Sequence, residues 1–232
     1  MSIVLNIETA TTVCSVALAK DGELLGLKEL NNGYTHAENL TVFIEDIVRE
    51  AGVRLSDIDA VAVSKGPGSY TGLRIGVAAA KGICFGLNRP LIAVDTLKSL
   101  TWQFVNSTPG IRYPALFCPM LDARRMEVYC ALYDQQLNEL ESVQAKIIDE
   151  NSFESYLKDH LIYFFGDGAS KCREKLGLNS NAVFIERVCP SASAMISFSE
   201  LACNLKQFED IAYFEPYYLK DFVTASARLK AK

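Results

Sequence analysis

Histidine is nearly absent, with two in 232 residues, and that scarcity removes much chemistry. His36, His160 and seven scattered cysteines, none spaced as Cys-x-x-Cys, assemble no zinc-ligand set. An odd, dispersed set of cysteines reads as reduced thiols, which places the chain in the cytoplasm. Positive charge is also short: 23 Lys and Arg against 28 Asp and Glu give a net charge of -5. Direct, autonomous nucleic-acid binding is therefore not expected. No hydrophobic run reaches transmembrane length, so no membrane association is expected. The apolar stretch 3–7 is too short for a signal peptide and ends at Glu8. A Walker string is missing too. What is present is ordinary for a globular protein: 50% hydrophobic and 22% charged residues, enough for one large domain or two small ones.

The chain is organised around residues 64–76, Ser-Lys-Gly-Pro-Gly-Ser-Tyr-Thr-Gly-Leu-Arg-Ile-Gly. An apolar run, residues 60–63, leads in, and a helix runs on to about Leu87. Strand, glycine turn and helix N-terminus is the geometry that cradles phosphates. Glu8, Gly66, Gly68, Ser69 and Thr71 are thus candidates for a remnant phosphate loop. The competing reading is a tight strand-to-helix turn, since a dinucleotide fingerprint would need glycine where Thr71 stands.

The helix itself is unusual. Between Thr71 and Leu87 its only charged side chains are Arg74 and Lys81, which project in nearly the same direction. Gly72, Gly76, Ala80 and Cys84 form a stripe of small residues, with Gly82 and Gly86 between them. Glycine inside a helix costs roughly 1 kcal/mol against alanine. A helix apolar almost all round is buried on several sides, and one sheet covers only one of them.

Around this stretch the pattern repeats. Residues 3–8, 13–20 and the run through Leu24, Leu25 and Leu27 read as strands, with Asp21-Gly22 as a hairpin turn. Thr35-His36-Ala37-Glu38 reads as a capping box. It opens a helix with Leu40, Phe43, Ile44, Ile47, Val48 and Ala51 on one face, closed by Gly52. A strand over 91–94 and a helix over 96–105 follow, and Ser107-Thr108-Pro109-Gly110 marks a boundary. Beyond it come strands at 115–121, 126–133 and 137–148, a helix at 152–157 and a strand at 161–165. The turn Gly166-Asp167-Gly168, a helix at 171–176, a strand at 183–185 and a helix at 191–205 complete the second unit. Such a duplication predicts an α/β, actin-like fold with subdomains 1–108 and 109–232, each a mixed five-stranded sheet flanked by helices. Residues 225–232, carrying Arg228, Lys230 and Lys232, read as a flexible basic tail.

With these features in place, the chain resembles the TsaB (YeaZ-like) family, the non-catalytic partners in bacterial tRNA threonylcarbamoyladenosine synthesis. The residues that carry the resemblance are Asn6-Ile7-Glu8-Thr9-Ala10, Thr35-His36-Ala37-Glu38-Asn39-Leu40 and the 66–76 string. Leu121-Asp122-Ala123-Arg124-Arg125 and Pro216-Tyr217-Tyr218-Leu219-Lys220 add support. The resemblance implies an ASKHA fold. It also implies a scaffold that binds the transferase TsaD and helps recruit the ATPase TsaE; the exposed apolar face of two adjacent helices separately predicts a homodimer when the chain is alone. The catalytic relative, TsaD, carries an acidic pair where Thr12 and Val13 stand here, and a metal-binding His-x-x-x-His where Thr96 and Leu100 stand. Its Gly-Gly-His turn is replaced by 121–125. No cofactor and no catalytic residue are therefore expected, the alternative being an actin-like ATPase, kinase or glycoprotease-like peptidase.

Right-handed crossovers put the first two helices of a unit on the same face of its sheet. The expected partner interface on that face is Leu40, Phe43, Ile44, Ile47, Gly72, Leu73, Gly76, Ala79, Ala80 and Ile83. Glu8 is either an acidic metal partner at the end of the first strand or an acceptor for nearby turn amides. His36 reads as part of a solvated first helical turn. Asp122, Arg124 and Arg125 read as a charged hairpin tip by default, the alternative being an oxyanion or phosphate site, and Asp167 as a turn residue. Cys118 and Cys130 read as buried, inert thiols.

Overall fold

The structure, a computed structural model, describes residues 2–33 and 35–220. The expectation for the 225–232 tail lies outside the described residues. β1 (Ile3–Glu8), β2 (Val13–Lys20) and β3 (Glu23–Asn31) form an antiparallel meander. β1 also pairs in parallel with β4 (Ala60–Gly66), and β4 with β5 (Leu91–Asp95), giving the order β3-β2-β1-β4-β5. The second sheet repeats the plan with β6 (Ala115–Asp122), β7 (Glu127–Tyr133), β8 (Glu139–Ile147), β9 (Leu161–Phe165) and β10 (Ala182–Ile185). Its order, β8-β7-β6-β9-β10, is the first order with each index raised by five. This is the duplicated actin-like fold. The central strands carry continuous apolar runs, as in Ala60-Val61-Ala62-Val63, because both faces of each sheet are covered.

The helices are α1 (His36–Glu50), α2 (Tyr70–Leu87), α3 (Thr96–Ser107), α4 (Glu154–Leu157), α5 (Ala169–Leu176) and α6 (Ile196–Asn204). α1 and α2 lie side by side on one face of the first sheet, over Leu5, Ile7, Val16, Val61 and Val63. The opposite face, Val4, Ala60, Ala62, Ile92 and Val94, is covered by Met195 and α6, which come from the far end of the chain. In return, α3 lays Leu97, Leu100 and Phe104 on the second sheet, with Phe104 stacked on Phe165 at 4.1 Å between centroids. Each half therefore completes the other's core. No helix among the described residues is long and apolar enough to cross a membrane.

Three local expectations change. Thr35 opens α1 without a side-chain cap; its carbonyl, not its hydroxyl, takes the Glu38 amide at 3.2 Å. The helix expected over 191–205 is broken into a 3-10 turn, Ala192–Met195, and α6. There the Ser191 hydroxyl accepts the Ser193 amide, while the Ala192 amide goes to Ser15. The turn joining the first strand pair of the second unit keeps its length and moves on by one residue, since β6 runs to Asp122 and β7 begins at Glu127.

After α6 the chain runs back along α2. Ile211 and Phe214 pack on the first core, and the Tyr217 amide donates to the Lys65 carbonyl at 2.7 Å. Lys81 donates to the carbonyls of Ala212 and Phe214 at 3.2 and 3.1 Å, and Arg74 Nε to the Tyr218 hydroxyl at 3.3 Å. The two lone charges of α2 thus hold this returning segment.

Candidate partner-binding face

The glycine stretch packs inward. The Ser69 hydroxyl caps α2 by accepting the Gly72 amide at 3.2 Å. The Ser69 amide donates to the Ala10 carbonyl at 2.7 Å, and the Gly66 amide to the Thr96 hydroxyl at 3.1 Å. A Cβ on Gly68 would press into Ala10, one on Gly72 into the Thr9 carbonyl, and one on Gly76 into the Thr9 hydroxyl. These glycines let the loop and α2 close on residues 9–12, which join β1 to β2. A phosphate cradle needs its backbone N–H groups aimed at the ligand. Here the amides of Gly66, Ser69 and Gly72 are satisfied inside the protein, as a strand-to-helix turn requires.

Glu8 is fully buried and its Oε1 accepts the Ala10 amide at 2.6 Å, the turn-amide role. Its Oε2 has no hydrogen-bond partner among the described residues. Burial drives the carboxyl up to about 7, against the opposing pull of the Ala10 N–H. His36 is not part of a solvated turn. It is buried, with Nε2 2.8 Å from the Thr11 carbonyl and its ring beneath Gly72. Burial lowers its pKa, with the bond to Thr11 opposing. Cys118 and Cys130 are buried in the second core, where loss of solvent raises the Cys118 thiol well above its ordinary value. Asp167 does more than turn the chain, since its Oδ1 accepts the Asp122 amide at 3.0 Å.

The expected interface residues separate by orientation. Leu40, Ile47 and Ala80 are buried in the first core, Leu73 is buried against Gly66, and Gly72 and Gly76 face residues 9–12. That stripe is the sheet side of α2, which corrects its assignment to a partner. Ile44, Ala79 and Ile83 do line an open apolar groove of about 590 Å³ between α1 and α2, whereas Phe43 does not line it and is half-buried against the first core. Glu45 and Arg49 supply its polar rim.

Residues outside the expected set complete the outer face. Ala78, Gly82 and Gly86 are exposed, with nothing within 4 Å of a Cβ placed on either glycine. Phe85 is 84% exposed and Val42 50%. At 3.6 residues per turn this second stripe, two positions out of step with the first, lies on roughly the opposite side of the helix. Its signal was in the sequence, but nothing there said which of two small-residue stripes meets the sheet.

A family model described as TsaD, tRNA N6-adenosine threonylcarbamoyltransferase, matches residues 32–226. The chain is similar to the tRNA threonylcarbamoyladenosine biosynthesis protein TsaB of Escherichia coli, 38% identical over 135 residues. That stretch covers 58% of this chain and 56% of the relative. The Bacillus subtilis protein of the same name is 30% identical over 60% of this chain and 58% of its own length. The chain thus spans somewhat more than half the length of the curated relatives it matches. A crystal structure of an uncharacterized Pseudomonas aeruginosa protein, described as similar to peptidase YeaZ, superposes with a TM-score of 0.80 at 26% identity. It covers 95% of this chain and 100% of that one. With the duplicated sheets, the family match and these relatives together, the chain belongs to the TsaD family and is a TsaB-type member of it.

Proposed function

We propose that the chain is a non-catalytic scaffold subunit in the threonylcarbamoyladenosine modification of tRNA, working in the cytoplasm with subdomains 1–108 and 109–232. It binds and positions the transferase TsaD through the outer face of α1 and α2, and the pair helps recruit the ATPase TsaE. The observation that carries this reading is the exposed apolar surface of Ala78, Gly82, Phe85 and Gly86 beside the α1/α2 groove. Glycines on the outside of a helix bring no core packing and weaken the helix. What they permit is close approach of another backbone.

The test is calorimetry of the full chain with TsaD, using Gly82→Leu and Phe85→Asp. Both substitutions fall on open surface, so the fold should hold while affinity drops at least tenfold. Unchanged affinity in both variants would remove this face from the interface. Self-association that is lost in the same variants would show that a second copy covers the face when the partner is absent.

A further inference from the structure

The turn joining β6 to β7 holds two arginines in a backbone conformation that does not suit them. Arg124 has φ 69° and Arg125 φ 53°, both left-handed. Two consecutive left-handed residues in a hairpin turn ordinarily call for Asn-Gly or Gly-Gly. A side chain there is disfavoured at each position. Both residues are exposed.

Their neighbours leave them bare. Lys171 pairs with Asp122, and Lys220 with Glu127, so the nearby carboxylates already have cations. Among the described residues no carboxylate lies within ion-pair distance of Arg124, Arg125 or Arg74. A line of contacts joins the three. The Glu127 amide donates to the Arg124 carbonyl at 3.3 Å, Glu127 holds Lys220, and Tyr218, two residues earlier, takes the Arg74 bond. The Arg74 guanidinium lies 4.3 Å over the Tyr70 ring, which is 4.9 Å from that of Tyr218. On a chain of net charge -5, this edge interleaves arginines that stand outside any ion pair with tyrosine rings, although Glu215 lies near enough to Arg74 to favour its charge.

We propose that this edge contacts the phosphodiester backbone of RNA, with Arg124 and Arg125 on phosphates and Arg74 with Tyr70 and Tyr218 beside an unpaired base. The guanidinium fork fits phosphate oxygens two at a time. Tyrosine rings add sequence-tolerant stacking, which an acidic protein surface would not use. The choice of RNA rests on the scaffold reading above, in which tRNA is the substrate of the assembly. Three arginines are too few for an autonomous grip, so the contact alone is weak and serves to orient RNA already held.

The test follows arginine Nε–Hε resonances of the full chain as an unmodified tRNA transcript is added at low salt. Arg124, Arg125 and Arg74 should shift or broaden, while Arg54, paired with Asp57, should not. The double variant Arg124→Asn, Arg125→Gly should abolish the response of the turn and raise Tm by about 3 °C or more, because it relieves both left-handed positions. Arg124→Lys with Arg125→Lys should keep the RNA response without that gain. Unmoved arginines would overturn the proposal, as would an Asn-Gly variant that leaves the remaining response to RNA as strong as before. Equal shifts with poly-glutamate at matched charge would also overturn it, assigning the turn to an acidic protein. In an assembly with TsaD, the same variant should lower the salt slope of tRNA binding by about 2, one for each phosphate lost. Failure of that assembly to form would count against the scaffold reading alone, since the resonance experiment needs only this chain.

Discussion

The two halves use one device at equivalent places and finish it differently. In the first half, the glycine turn after β4 lets α2 press on residues 9–12. In the second, a Cβ on Gly166 would press into Met120, and one on Gly168 would meet Leu121 at 2.7 Å, so α5 presses on the end of β6 in the same way. The helices that follow differ. α5 has 8 residues and a polar outer side, with Lys171, Arg173 and Lys175 paired to Asp122, Glu186 and Glu150. α2 has 18 residues and exposes Ala78, Gly82, Phe85 and Gly86. Packing on the sheet asks only that the inner side be apolar, and α5 meets that requirement with a charged exterior. The apolar exterior of α2 is therefore not required by its own fold.

Substitutions can break this comparison from either side of α2. Gly76→Leu gives the largest effect expected, because its Cβ would already intrude on the hydroxyl of Thr9, a fully buried, β-branched side chain with little room to turn away. Overpacking of this kind costs about 1–3 kcal/mol or more. Soluble yield and Tm should both fall. A variant with wild-type Tm would show that the inner stripe is not packed as described.

Comparable in size is the pH response of Glu8, buried against residues 9–12. Glu8 titrates near 7 when folded against an ordinary 4.5, so the folded state binds the extra proton. Stability from this group is complete below about pH 4.5 and is lost as pH rises through 7, a change of about 3 kcal/mol. His36 has the opposite sign: its folded pKa is lowered, so acid below its ordinary value of 6.5 destabilises the fold. Glu8→Gln keeps an acceptor for Ala10 and removes the titration. The difference in unfolding free energy between wild type and variant, which cancels the His36 contribution, should shift against the wild type between pH 5 and 8. A difference that stays flat would place Glu8 in contact with solvent.

On the outer side, Gly82→Leu should leave Tm unchanged or slightly higher, since leucine exceeds glycine in a helix by most of 1 kcal/mol. Its loss of partner affinity, at least tenfold, corresponds to about 1.4 kcal/mol. A fall in Tm like that of Gly76→Leu would erase the distinction between the two stripes. The smallest effect is expected from Lys81→Met, which frees the carbonyls of Ala212 and Phe214 at the flank of α2. Charged hydrogen bonds to carbonyls stabilise by roughly 1.5–3 kcal/mol, and partial exposure here reduces that to about 1 kcal/mol. Limited proteolysis should then cut more readily within residues 207–220.

Amphipathic spacing in α1, the apolar run of β4, the Asp21-Gly22 turn and the repeated order of elements are local or periodic features, so the sequence by itself determined the duplicated sheets and nearly every element. The same periodicity placed α1 and α2 side by side. Tertiary structure alone decided three matters. It chose which stripe of α2 meets the sheet, because two sets of small residues satisfy the same helical spacing. It sent α3 to the second sheet and α6 to the first, an exchange between distant segments that no local pattern encodes. It also buried Glu8 and His36 against residues 9–12, since solvent exclusion at a polar side chain depends on what other parts of the chain bring to cover it.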